Sequence, residues 1–152
     1  MNLKKKKKGF TLIELMAVIA IIAILAAVLV PTVSGYINRS KKTAVISQVS
    51  NLITAIETYN ATATTPIDTS STSSVTASTA IATLKTAKVI DANDTTSFNK
   101  IDGSATGTAD IDMPIKTAYA INRDQEAVNK IEVNTDGTFK SYTGQVASGS
   151  GA

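Results

Sequence analysis

Residues 10–33 read FTLIELMAVIAIIAILAAVLVPTV, an apolar run broken by one charge, Glu14. A helix rises about 1.5 Å per residue, so this stretch is long enough to cross a hydrocarbon layer of roughly 30 Å. It predicts one membrane span, and the chain must be read around it. The consecutive Lys4, Lys5, Lys6, Lys7 and Lys8 on its N-terminal side outweigh Arg39, Lys41 and Lys42 on the other. The positive-inside rule then keeps the N-terminus cytoplasmic and sends the remainder across.

The chain has 152 residues, so the part outside the span is one small domain with a modest core. Its formal charge of +3 comes from fifteen basic and twelve acidic residues. Without the five-lysine run, ten basic residues face twelve acidic ones, a balance of −2. A nucleic-acid partner therefore loses its electrostatic basis. There is no Cys and no His, which removes disulfides, thiol chemistry, thiolate or imidazole metal sites, and the Ser-His-Asp triad. Carboxylate or Lys catalysis stays open in principle. However, the sequence has no phosphate-cradling Gly loop and no acid–base pair of defined spacing. Neither an enzyme nor a cofactor is expected, and the protein reads as structural.

An ordinary secretory signal is cut after its apolar region, which would discard the helix. Here the order is reversed. The segment Lys8-Gly9-Phe10-Thr11-Leu12-Ile13-Glu14 resembles the prepilin processing site of type IV pilins and pseudopilins. The resemblance implies that a prepilin peptidase cuts between Gly9 and Phe10 and that the new terminus, Phe10, is N-methylated. It further implies that Glu14 meets the N-terminal amine of a neighbouring subunit and sets the axial stagger of a filament. Physical reasoning leaves a second reading of Glu14 open, as an interfacial carboxylate that reaches the headgroups.

Ala17, Ala20, Ala23, Ala26 and Ala27 offer small patches for close helix packing, or are simply tolerated in a membrane helix. Pro31 removes a backbone donor; with Gly35 it makes either a kink or flexible joint or the membrane exit. Beyond it, Val45, Val49, Leu52, Ile53 and Ile56 fall at i, i+4, i+7, i+8 and i+11, one apolar stripe of an amphipathic helix ending near Tyr59 and Asn60. Arg39, Lys41 and Lys42 suit headgroups or subunit contacts, with solvation as the default.

Residues 61–80, rich in Ser, Thr and Ala, predict an exposed loop, and the sequons at Asn60 and Asn93 are weak signals within polar segments. Ile81, Leu84, Val89 and Ile90 predict a short helix, and residues 93–108 a turn-rich connection. Residues 111–122 read as a strand with Pro114 at an edge or break. Segments 130–134 and 138–143 flank Asp136-Gly137, a hairpin signal. Together these predict an antiparallel sheet of three or four strands, with Ile131, Val133, Phe139 and Tyr142 covering the helix. Residues 149–152 read as a loose tail. Asp110 and Asp112 would share one strand face, solvated far more readily than metal-bound.

The expected organisation is a cleaved leader at 1–9, a transmembrane and filament-core helix at 10–33, its amphipathic half at 34–60, and a globular head at 61–152. This α+β layout is the pilin fold that the resemblance implies. So are the partners: other pilin subunits in a homopolymer, the peptidase, an assembly ATPase and its inner-membrane platform, and lipid before assembly. Localisation follows as the cytoplasmic membrane and then an extracellular pilus serving adhesion or twitching motility. The Gly/Ser-rich C-terminus departs from the acidic calcium loop of many secretion pseudopilins and favours a pilus subunit, with the major pilin as the expectation. A pseudopilin of type II secretion or competence DNA uptake is the alternative, and an anchored domain that never polymerises is a third. The chain also lacks the C-terminal Cys pair of many pilins, leaving hydrogen bonds and packing to hold the distal loop.

Overall fold

A computed structural model describes residues 9–70, 73–103 and 112–146. The elements run α1 (Leu12–Asn60), α2 (Ala77–Thr86), α3 (Ile115–Arg123), α4 (Ala127–Lys130), β1 (Ile131–Val133) and β2 (Phe139–Tyr142). Asp110, Ile111 and residues 149–152 lie outside the described residues. The chain divides into two compact units, Met1–Ile37 and Asn38–Ala152.

In the first unit no residue of the apolar stretch of α1 is buried. Phe10 is 85% exposed, Ile24 68% and Val28 68%. A helix apolar on every side has no face to turn to water, so its shelter must come from outside the subunit.

The second unit contains the core. Val45, Val49, Leu52, Ile53 and Ile56 of α1 are buried, the stripe that the spacing predicts. Against them lie Ile81 and Leu84 of α2, Ile115, Ala118 and Ile121 of α3, Ile131 and Phe139 of the sheet, and Phe98, Ile101 and Met113 from the connections. Each fully buried Leu or Ile contributes about 1.5–3 kcal/mol, so this one stripe organises the unit. Gln48 on the adjoining face ties down the 96–100 connection, accepting from the Lys100 N–H at 2.8 Å and donating to Asn99 Oδ1 at 3.1 Å.

The loop after α1 is pinned rather than simply exposed. Asn60 exchanges two hydrogen bonds with the Ile67 backbone, at 2.8 and 3.0 Å, and Ile67 and Ser73 are buried. The helix at Ile81 and Leu84 is present as α2, but Val89 and Ile90 follow its end. There Lys88 takes φ +59°, and the Val89 N–H bonds Leu84 O at 3.0 Å, closing the last turn.

The expected strand at 111–122 is not one. Pro114, at φ −60° and ψ 137°, precedes the first residue of α3. Alternation through Met113 and Ile115 meets a three-residue spacing through Ile115, Ala118 and Ile121, all buried. Pro114 is the switch, since it cannot donate to a ladder yet can stand beside a helix start. The sheet accordingly has two antiparallel strands among the described residues rather than three or four. Two strand-like contacts that the sequence did not announce lie outside the named strands: an antiparallel bridge Thr76–Pro114 and a Phe139 N–H to Lys100 O bond at 2.7 Å.

The hairpin forms as predicted. Ile131 pairs with Tyr142 and Val133 with Phe139, with an irregularity between Glu132 and Val133. Gly137 adopts φ +84°, the left-handed region that favours glycine. Asp136 Oδ1 accepts from the Thr138 N–H and hydroxyl at 2.9 and 2.7 Å.

In a chain without Cys, Asp124 clasps the C-terminal segment. Its Oδ2 accepts from Lys130 Nζ at 2.8 Å and the Tyr142 hydroxyl at 2.7 Å, and its Oδ1 from the Glu126 N–H at 2.9 Å. The Lys130 bond leads in holding the Asp124 carboxyl down to about 2, from an ordinary 3.8. Burial leads in pushing the Tyr142 phenol up to about 12, from 10. The clasp's contribution is thus complete above pH 3.8 and lost as pH falls through 2. On the alkaline side it is complete below pH 10 and lost as pH rises through 12.

Two outcomes follow, read by thermal and urea unfolding of the full chain in detergent. Asp124→Asn lowers the melting temperature near neutral pH and flattens the acid limb below pH 3.8. Leu52→Ala destabilises the second unit by about 2–5 kcal/mol.

Candidate functional site

The candidate site is the start of α1. Gly9 and Phe10 precede the helix, and a Cβ built on Gly9 meets nothing within 4 Å. The fold itself therefore does not require glycine there. It does at Gly103, where a Cβ would fall 2.6 Å from the Asp112 nitrogen.

Thr11 is the residue before α1 and caps it. Its N–H and hydroxyl donate to Glu14 Oε2 at 2.9 and 2.6 Å, and its hydroxyl oxygen faces the Glu14 N–H at 3.4 Å. This reciprocal arrangement is a capping box, which satisfies two orphan donors of the first turn. It holds the Glu14 side chain back along the helix toward Phe10. Both strong bonds end on Oε2, and among the described residues Oε1 accepts none. Nor does Glu14 have an ion-pair partner there. A fixed, exposed carboxylate with one open oxygen, at the head of an apolar rod, can receive a cation. The Thr11-Leu12-Ile13-Glu14 spacing is the sequence signal for this role of Thr11.

The other predicted residues are not gathered at this site. Helix α1 runs through Pro31 and Gly35 without a break in assignment. Pro31 cannot donate to the Ala27 carbonyl, and around it the Thr32 and Ser34 hydroxyls bond back to Val28 O and Val30 O at 3.2 and 3.0 Å. Such back-bonding satisfies hydroxyls in an apolar setting and loosens the helix locally. Lys41 departs from simple solvation, because its ammonium donates to Thr135 O at 2.5 Å and its stem packs beside Gly137. Asp112 is also not a solvated strand residue. Its carboxylate accepts from the Ser78 N–H at 2.9 Å and the Ser78 hydroxyl, capping α2 from 34 residues away. No local pattern announces that contact.

Residues 4–30 match the family described as the prokaryotic N-terminal methylation motif. Two proteins of Dichelobacter nodosus, each described as type IV major fimbrial protein FimA, are 54% and 43% identical to the chain over 56 residues. Those matches take in 37% of this chain and 35% and 36% of theirs, so the chain spans about a third of the length of the curated relatives it matches. No solved structure matches. The N-terminal segment is similar to that of type IV pilins. The long apolar helix and small antiparallel sheet agree with the α+β pilin fold. Type IV pilins are structural, non-enzymatic proteins.

In this segment, Thr11→Val should open the capping box and Thr11→Ser should keep it. Amide hydrogen exchange in detergent micelles would show the first turn of α1 exchanging roughly fivefold faster in the Val variant, as loss of an N-cap predicts, and unchanged in the Ser variant.

Proposed function

We propose that the chain is a structural subunit, the major pilin, of a type IV pilus used for adhesion or surface motility. The observation that carries this reading is the pairing of a wholly uncovered apolar helix with a capped carboxylate at its start. Residues 1–9 are the leader, removed by prepilin peptidase between Gly9 and Phe10, and Phe10 is then N-methylated. Residues 10–33 are the membrane and filament-core helix, 34–60 its amphipathic half and 61–152 the head. Before assembly the chain spans the cytoplasmic membrane once, N-terminus inward.

Cleavage leaves the Thr11 N–H intact, so the capping box survives it. The cut also creates an amine at Phe10 whose reference pKa, about 7.7–8, makes it substantially cationic at neutral pH. A buried carboxylate costs about 2.5–3.5 kcal/mol in a membrane helix, less near the interface. Pairing Glu14 Oε1 with the Phe10 amine of a neighbour offsets that cost in the filament and fixes the stagger between subunits. Exposed Ala17, Ala20 and Ala23 allow the rods to approach, and Pro31 with Gly35 lets each rod adjust. An assembly ATPase and its inner-membrane platform give direction to a transfer that buries similar apolar area in lipid and in filament.

Sheared-surface fractions, immunoblotting and electron microscopy test this directly. The intact gene should yield long filaments containing the chain. Glu14→Ala should leave processed subunit in the membrane and cut filament yield at least about tenfold. Normal filaments from Glu14→Ala would overturn the role of Glu14. Absence of long filaments from the unaltered chain under inducing conditions would favour the pseudopilin.

A further inference from the structure

In the second unit, α3 buries Ile115, Ala118 and Ile121 and turns Lys116, Tyr119, Ala120 and Arg123 to the other side. Those four positions fall at i, i+3, i+4 and i+7, one continuous helix face. They form one wall of a cavity of about 430 Å³, whose remaining lining is Thr69, Asp124, Lys130, Tyr142 and Gln145. The volume lies within the usual range for small-ligand sites, roughly 300–1,000 Å³.

The charges in this lining do not cancel. Lys130 is committed to Asp124 at 2.8 Å and Glu126 at 3.7 Å. Lys116 and Arg123 have no carboxylate partner among the described residues, and Asp124, the one acid in the lining, is occupied by the clasp. Glu57 acts on Tyr119 only from outside the lining. The Arg123 guanidinium stands 6.0 Å from the Tyr119 ring centroid, which holds its planar fork against an aromatic wall.

We infer that this cavity binds a carboxylated pyranose, such as the terminal uronic acid of a glycan. Arg123 takes the carboxylate with its paired N–H groups and Lys116 adds charge. The Tyr119 and Tyr142 side chains give the lining aromatic surface for the C–H groups of a sugar, and Thr69 and Gln145 add polar groups for its hydroxyls. An inorganic phosphate would leave most of the volume to water, and a Glu side chain would leave both rings unused. Every lining residue belongs to the second unit.

The test is titration of the full chain in detergent micelles, followed by NMR, with methyl glucuronide, methyl glucoside and a Glu-rich hexapeptide as probes. The glucuronide should bind at least about tenfold tighter than the glucoside and should weaken with added salt. Arg123→Ala and Lys116→Ala should each weaken it about five- to tenfold, whereas Lys88→Ala, a distant exposed cation, should not. Tyr119→Ala should weaken both sugars. Equal affinity for the two sugars, no saturable glucuronide binding at tens of millimolar, or binding indifferent to Arg123→Ala would overturn the inference. So would hexapeptide binding as tight and as Arg123-dependent as that of the glucuronide, which would assign the cavity to an acidic protein segment.

Discussion

The first unit of this protein cannot be at rest in water. Ile19, Ile21, Ile22, Ile24, Leu25, Val28 and Leu29 all stand exposed on one helix. Sheltering each such side chain is worth on the order of 1.5–3 kcal/mol. No packing within the subunit supplies that shelter. Bilayer and helix bundle are the two environments that can, and they bury the same surface to a similar degree. On the proposed reading, reversible assembly rests on that near-equality, and small polar terms such as the Glu14 pair then decide register.

The same helix changes character within its length. Its apolar residues surround it before Ile37 and narrow after Asn38 to the stripe of Val45, Val49, Leu52, Ile53 and Ile56. A stripe can be covered by a small domain, and α2, α3 and the hairpin do so. In a chain without Cys, the Asp124 clasp ties α3, Lys130 and β2 with charge-assisted hydrogen bonds. Asp112 and Gln48 serve similar ends elsewhere, each joining segments far apart in the chain. The head is therefore held by a thin apolar core supplemented by specific polar ties.

How much of this the sequence discloses depends on the range of each interaction. The apolar stripe of α1 and the turn at Asp136-Gly137 are local patterns, and both were legible. The capping box at Thr11 is equally local, a three-residue spacing of Thr and Glu at the helix start. Residues 113–121 were misread because two periods overlap at Ile115, and only the bridge from Pro114 to Thr76 shows where one gives way to the other. The Ser78–Asp112 cap and the Lys41–Thr135 contact depend on tertiary approach, for which a single sequence has no periodic signal. The α3 face lining the cavity was hidden by the same misreading of 113–121, since a strand would set Lys116 on the face opposite Tyr119 and Arg123.

On the proposed reading the apolar rod is kept after processing, with a new amine placed one helical turn before Glu14. Intact-mass measurement and N-terminal sequencing of the chain recovered from cells decide this. The mature chain should begin at Phe10 and carry one added methyl group. A chain that still bears its lysines, or one that has lost the rod, would contradict it.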